Sequence, residues 1–232
     1  MSVDVSKPGA SVPVHRVRFV DWSPSAITAL ALSPVAWTES AAVGRSVLAI
    51  GRDNGNIDLC TWCEGQSGSV AQGWSPVWTL LGEENYKIES LAFTASASHL
   101  RLFSTSGGSI VSEHYLPSSL TGQHAADTRT PTRTLSSHGG AIWSMAASPT
   151  GKFLAIGCED GVVRLIDVAG DAFEHVGTGM HVAPRMTRVA SRILSLAWGP
   201  PRRQMATSND SDDDNDEAWR DTYLLGLSLI HI

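Results

Sequence analysis

The sequence predicts an all-β fold, and the segment 141–168 is the clearest evidence for it. Apolar runs alternate there with clusters of turn-forming residues, in the order 142–147, Ser148–Gly151, 153–156, Glu159–Gly161 and 162–168. That order predicts a meander of three antiparallel strands. Apolar residues also stand at successive positions, as in Ile142 and Trp143, which is typical of sheets that are buried on both faces.

The same order of runs and turns recurs, and the first strands of the four units start at Ile27, Ile88, Ile142 and Ile193. Their spacing exceeds the roughly 40–45 residues of a four-stranded propeller blade. We therefore place the excess in loops that are rich in Gly, Ser and Thr or in acidic residues, at 64–76, 117–134 and 208–217. The fold predicted is an incomplete β-propeller of about three and a half blades.

The domain organisation follows from these units. Residues 1–13 are expected to form a flexible tail, and residues 14–226 a partial propeller whose acidic loop is 208–217. The strand-like segment Val14–Trp22 would complete the last blade of a closed propeller. In the fourth unit, Asp221–Gly226 is predicted to be the second strand.

Composition limits the classes of function. The net charge of −6 argues against a broad basic face that wraps nucleic acid. No apolar run is long enough to span a membrane, and we expect no membrane partner. The three cysteines are too few for a disulfide scaffold and are expected to be reduced thiols in an intracellular protein.

Motifs for chemistry are sparse. Cys60 and Cys63 have the spacing of a zinc half-site or a redox pair, but no second pair follows, and packing thiols are the favoured interpretation. His175 and His181 are interpreted as loop residues, and Ser104–Ser109 as a hairpin turn. We therefore expect no catalytic residue, cofactor, metal or small-molecule substrate.

Candidate contact residues come from loops. Five arginines are candidates for RNA or partner contact: Arg185, Arg188, Arg192, Arg202 and Arg203. Trp74 and Trp78 are predicted to lie in loops and to anchor partner proteins. Ser211 precedes three aspartates and is a candidate site for an acidophilic kinase.

The unit 141–168 resembles a WD repeat, although Ile166-Asp167 stands where Trp-Asp is expected. That resemblance assigns structural roles to His138, Asp160, Gly161 and Asp167, while Cys158 and Ile166 replace two members of the usual hydrogen-bonded set of the repeat. Four narrower segments together resemble the cirhin family: Val14–Phe19, Ile142–Pro149, Gly157–Gly161 and Ser191–Trp198.

Membership of the cirhin family would imply a non-catalytic scaffold of the small-subunit processome, in the nucleolus of the nucleus. The scaffold would assemble with other processome proteins on the 5′ external transcribed spacer of the ribosomal RNA precursor and support its processing. Direct contact with that RNA is left open. The alternative is a WD-repeat adaptor of another pathway, such as a substrate receptor of a ubiquitin ligase, and a second alternative is a propeller enzyme.

The last six residues, 227–232, resemble the translation of a common sequencing adapter. We expect them to be a non-native tail on a reading frame that stops within the fourth blade. An isolated partial propeller is expected to expose sheet faces and edges and to be poorly soluble.

Overall fold

The computed structural model describes residues 25–34, 46–63, 73–82, 86–95, 100–116, 133–176 and 188–203, and the strands at 219–220 and 224–228. These residues form strands and turns, with no helix among them. None of the residues described therefore belongs to a helix that could cross a membrane. The tail 1–13, the segment Val14–Trp22 and the acidic loop 208–217 lie outside the described residues.

Three four-stranded antiparallel sheets, here called blades 1 to 3, account for the first twelve strands. Each blade is a meander in which every strand pairs with the next one along the chain. Blade 1 contains β1 (Ile27–Leu32), β2 (Val47–Arg52), β3 (Ile57–Cys63) and β4 (Gly73–Leu80). Blade 2 contains β5 (Ser90–Ala95), β6 (Leu100–Thr105), β7 (Ile110–Tyr115) and β8 (Arg133–Ser136). Blade 3 contains β9 (Ile142–Ala147), β10 (Phe153–Cys158), β11 (Val163–Asp167) and β12 (Glu174–His175).

The fourth unit is a long hairpin. It consists of β13 (Ile193–Trp198), β14 (Arg202–Arg203), β15 (Trp219–Arg220) and β16 (Leu224–Ser228). β13 pairs with β16, and β14 pairs with β15 further along the same hairpin. The predicted all-β fold is confirmed, with three full blades and part of a fourth.

The hydrophobic core lies between blades rather than within one. All six residues of β6 are buried, and neighbouring residues on this strand point into different cores. Leu102 joins a cluster shared with blade 1, whereas Phe103 joins a cluster shared with blade 3. Burial on both faces explains why the strand has no apolar and polar alternation. β1 is different, because Ile27, Leu30 and Leu32 are each more than half exposed.

Each blade has a fourth strand that sequence analysis assigned to loops. β4 begins at Gly73, inside the predicted loop 64–76, and β8 begins at Arg133, inside the predicted loop 117–134. Trp74 and Trp78 therefore lie in β4, so the prediction that they lie in loops is wrong, whereas their role as partner anchors stays a prediction. Trp78 packs partly buried against the core between blades 1 and 2. Trp74 pairs across the strands with Trp62, with the two rings edge to face at 5.5 Å.

Two strand boundaries also differ from prediction. The second blade begins at Ser90 rather than Ile88, although Ile88 is buried in the core just before the strand. The second long strand of the fourth unit is Leu224–Ser228 rather than Asp221–Gly226. In it, Leu227 pairs with Ser195 and Ser228 with Ile193. That residues 227–232 are a non-native tail stays a prediction.

A buried ion network joins blade 2 to blade 3. The Glu113 carboxylate accepts a hydrogen bond from Arg101 Nε at 2.6 Å through one oxygen and from Arg133 Nε at 2.6 Å through the other. The Arg101 guanidinium also donates to the backbone carbonyls of the β11–β12 loop, at Val168, Gly170 and Ala172. Three hydrogen bonds from one buried side chain of blade 2 thus fix its position relative to blade 3.

His114 provides a prediction about pH. Its ring is hydrogen-bonded to Ser104 Oγ at 2.7 Å, and burial lowers its pKa from 6.5 to about 4, against an opposing effect of the Glu113 charge. His114 is therefore protonated more easily in the unfolded chain than in the folded one. Its contribution to the free energy of unfolding is complete above pH 6.5 and is lost as the pH falls toward 4. We expect a loss of about 2 kcal/mol between pH 7 and pH 5, measured by urea unfolding. His114→Gln should remove this part of the pH dependence, and an unchanged slope in that variant would contradict the assignment.

Candidate interaction surface

The turn between β10 and β11 brings three of the four predicted repeat residues together, whereas Asp167 lies at the far end of β11. Gly161 has a positive φ of 75°, which an L side chain rarely adopts. A Cβ at this position would also lie 2.2 Å from the carbonyl oxygen of Val189, in the segment that leads into the fourth unit. Asp160 closes the turn by accepting a hydrogen bond from Val162 N at 3.1 Å. The sequence Glu-Asp-Gly thus forms a tight turn that packs directly on the next unit.

Arg164 is the residue that links Asp160 to His138. Its two terminal nitrogens donate to the two Asp160 carboxylate oxygens at 3.0 and 2.7 Å, and one of them also donates to the His138 carbonyl at 3.2 Å. These hydrogen bonds from Arg164 are the main cause of the lowered pKa of Asp160. His138 contributes its carbonyl, from a left-handed backbone with φ of 54°, while its ring lies 5.1 Å from that of His175.

Arg164 was not among the residues predicted from the sequence. The usual members of the repeat's hydrogen-bonded set are replaced at Cys158 and Ile166, which are both buried apolar residues of the core between blades 2 and 3. An arginine four residues after the turn aspartate was the available signal, since a tight hairpin places those residues close together. Burial raises the pKa of the Cys158 thiol, which favours its neutral form.

Replacing Asp160 with Asn is expected to lower the free energy of unfolding by about 1–2 kcal/mol, because the pair with Arg164 is only partly exposed and is bidentate. Thermal or urea unfolding would measure the change. Asp167→Asn is the matched control, because Asp167 accepts a single exposed hydrogen bond from Ala169 N. Equal losses in both variants would contradict a special role for the Asp160–Arg164 pair.

Trp143 forms the centre of the surface beside this turn. It lies on β9, the first strand of blade 3, and 38% of its surface is exposed. The Arg192 guanidinium lies over its ring, 4.5 Å from the centroid. The indole Nε1 donates a hydrogen bond to the exposed Glu159 carboxylate. A large aromatic side chain is thus held in one orientation at the protein surface.

Arg188 lies at the same end of blade 3. It is exposed, and its Nε donates to the Asp160 carbonyl at 3.0 Å. Among the described residues, no carboxylate is paired with its terminal nitrogens. We call this group of residues the Trp143 patch: Trp143, Glu159, Asp160, Arg164, Arg188 and Arg192.

The five arginines predicted as contact residues do not form a single surface. Arg188 and Arg192 precede β13 and belong to the Trp143 patch, whereas Arg202 and Arg203 lie in β14, beyond the opposite end of β13. Arg202 is exposed. Arg185 and Ser211 lie outside the described residues.

The cysteine pair lies within β3. Cys60 is buried and Cys63 half-buried, and burial raises the pKa of the Cys60 thiol, as does the nearby Asp58 charge. A neutral buried thiol is a poor metal ligand and a poor nucleophile. Within the described ranges, no three His, Cys, Asp or Glu side chains are grouped so that they could hold a metal ion.

Comparison with known families gives the class of protein. The family described as "WD domain, G-beta repeat" matches residues 129–167, a range that contains β8 to β11. The sequence repeat therefore takes its first strand from the outer edge of blade 2 and its other strands from blade 3. Together with the three four-stranded antiparallel sheets, this match defines a WD-repeat protein of the β-propeller class.

Individual relatives are more specific. The chain is 33% identical over 186 residues to "U3 small nucleolar RNA-associated protein 4" of Saccharomyces cerevisiae, covering 80% of this chain and 21% of that protein. For the Schizosaccharomyces pombe protein of the same name, the identity is 34% over 184 residues, covering 79% of this chain and 22% of the relative. For the Homo sapiens homolog it is 30% over 196 residues, covering 84% and 23%. The chain thus spans about a fifth of the length of these relatives.

A solved structure of the Chaetomium thermophilum polycomb repressive complex 2 also contains a similar chain. The identity is 15% and the TM-score 0.48, covering 62% of this chain and 27% of that one.

Proposed function

We propose that the chain belongs to the cirhin family and acts as a non-catalytic WD-repeat scaffold in ribosomal small-subunit biogenesis. The observation that carries the proposal is the 30–34% identity, over about four fifths of this chain, to proteins named for association with the U3 small nucleolar RNA. The scaffold would work in the nucleolus, with other processome proteins, on the 5′ external transcribed spacer of the ribosomal RNA precursor.

The architecture supports a binding role. Blade 2 shares a hydrophobic core with each of its neighbours, and the rigid framework that results presents its turns and loops in fixed positions. The buried network from Arg101 to the β11–β12 loop adds to that rigidity. Rigid surfaces lose little conformational entropy when a partner binds.

Affinity purification of the tagged protein from growing cells tests the proposal. We expect U3 small nucleolar RNA and the 5′ external transcribed spacer to be enriched over a spliceosomal RNA, and the tagged protein to lie in the nucleolus. Depletion should cause unprocessed ribosomal RNA precursor to accumulate. Recovery of a ubiquitin ligase without U3 RNA would instead support the alternative, a substrate receptor.

Direct RNA contact is proposed at the β14 end of the long hairpin. Arg202 is exposed there, and β14 pairs Arg202 with Arg220 across the hairpin. Guanidinium groups bind phosphates through paired hydrogen bonds, and this binding releases the counterions that surround the nucleic acid. Ultraviolet crosslinking in cells should give RNA adducts on the peptide that contains Arg202 and Arg203, and the absence of adducts would exclude this contact.

Ser211 is proposed as a phosphorylation site, on the strength of the aspartates at 212–214. Phosphopeptide mapping of the protein from growing cells should find it modified, and an unmodified Ser211 would contradict the proposal.

A further inference from the structure

We propose that the Trp143 patch docks a segment of a partner protein that carries an acidic residue next to an aromatic or large apolar one. In this proposal the acidic side chain binds the Arg188 guanidinium, and its apolar neighbour packs on Trp143. The inference deepens the scaffold function proposed above and rests on it, because it assigns a partner chemistry to one surface of the scaffold.

Trp143 has the properties of an interface anchor. Tryptophan and arginine are the residues most enriched where binding energy concentrates, and here a partly exposed indole stacks with a guanidinium. The ring is held at its edge by Glu159 and at its face by Arg192. A side chain that is already ordered loses little entropy on binding, so contact area converts more fully into affinity.

Arg188 and Asp160, at the base of the patch, are also held in place by hydrogen bonds. Arg188 is held through its Nε by the Asp160 carbonyl, and Asp160 is held in turn by both terminal nitrogens of Arg164. Within the described part of the chain no carboxylate engages the terminal nitrogens of Arg188, so they can bind one in the paired geometry that arginine favours.

The charge of the patch favours an acidic peptide over RNA. Arg164 is paired with Asp160, and Arg192 lies over the Trp143 ring. Arg188 therefore offers one paired site, which suits a single carboxylate better than a run of phosphates. Proteins that bind RNA through its backbone present a surface of one sign. A polar rim around an aromatic residue is typical of protein interfaces.

The test uses the full 232-residue chain and three defined probes. The probes are the acetylated, amidated tetrapeptide Phe-Asp-Glu-Phe, its counterpart Phe-Lys-Lys-Phe, and a uridine decanucleotide. The readout is the indole N–H resonance of Trp143, which is assigned by its disappearance in Trp143→Phe. We expect a saturable shift with the acidic peptide at concentrations up to about 1 mM, and no saturable shift with the other two probes.

Two variants complete the test. Arg188→Gln should weaken binding of the acidic peptide about tenfold, whereas Lys152→Gln, at an exposed basic residue outside the patch, should leave it unchanged. The proposal is overturned by the absence of a saturable shift with the acidic peptide, by an equal shift with the lysine peptide, or by a saturable shift of the Trp143 resonance with the RNA. A negative titration combined with recovery of U3 RNA from cells would retain the scaffold function and reject only this surface.

Discussion

Replacing Glu113 with Gln should lower the free energy of unfolding by about 3–5 kcal/mol, because it removes one partner of a buried ion pair and leaves the other charged. Glu113 and Arg101 have side chains only 8% and 5% exposed. Gln has the shape of Glu, so the loss reports charge rather than packing. Urea unfolding followed by circular dichroism would measure it.

The matched control for this prediction is Glu89→Gln. Glu89 pairs with Lys87 at 2.9 Å, but the Lys87 side chain is 56% exposed, and ion pairs at the surface contribute less than about 1 kcal/mol. A Glu113→Gln variant that is no less stable than Glu89→Gln would show that the buried network does not hold the two blades together.

The Glu113 network also makes the stability of the protein depend on pH in the acidic range. Burial alone would raise the pKa of Glu113, but hydrogen bonds from Arg133 and Arg101 outweigh it, so the pKa is lowered below 4.5. A lowered pKa means that the unfolded chain takes up the proton first as the pH falls. The stabilisation is therefore complete above pH 4.5 and is lost below it, and Glu113→Gln should show less acid sensitivity in that range.

The strands that could be predicted from sequence are those with a strong local pattern. Most of the first three strands of each blade are short runs rich in apolar residues between turns, and in β6 and β10 nearly every residue is buried. The fourth strands could not be predicted in this way. β4 carries exposed and half-buried residues along most of its length and contains Pro76, and β12 is two residues long. Such strands are specified by pairing with β3 and β11, which a local pattern does not report.

The candidate surface was predictable only in part. His138, Asp160 and Gly161 were expected from the repeat resemblance, and the structure brings them into one turn region. The linking role of Arg164 depends on side-chain geometry across the hairpin. Trp143 was expected to be a strand residue, and the sequence held no sign that Arg192, in a different unit, would lie over its ring. Contacts between blades join residues about fifty positions apart, so they appear only in the folded chain.

Gly157→Val is the second substitution with a large expected effect, about 3 kcal/mol or more in the free energy of unfolding. Gly157 lies in β10, where the fourth unit packs against blade 3. A Cβ at this position would lie 2.4 Å from Ser144 Oγ and 2.6 Å from Ile193 Cγ2. Ser144 Oγ cannot move freely, because it donates to the Ile193 carbonyl at 3.0 Å.

The same arrangement recurs two repeats earlier, in blade 1, which makes the cause of the effect testable. Gly51, in the matching Ala-Ile-Gly sequence of β2, would place a Cβ 2.6 Å from Ile88 Cγ2, so Gly51→Val should also be strongly destabilising. Gly108→Val is the control, since nothing lies within 4 Å of a Cβ there and its φ is not positive. Because the first isoleucine of the next unit fills the space in both cases, Ile193→Ala should recover part of the stability lost in Gly157→Val. If the double variant is as unstable as the sum of the two single losses, the close approach of the two units is not what requires glycine at this position.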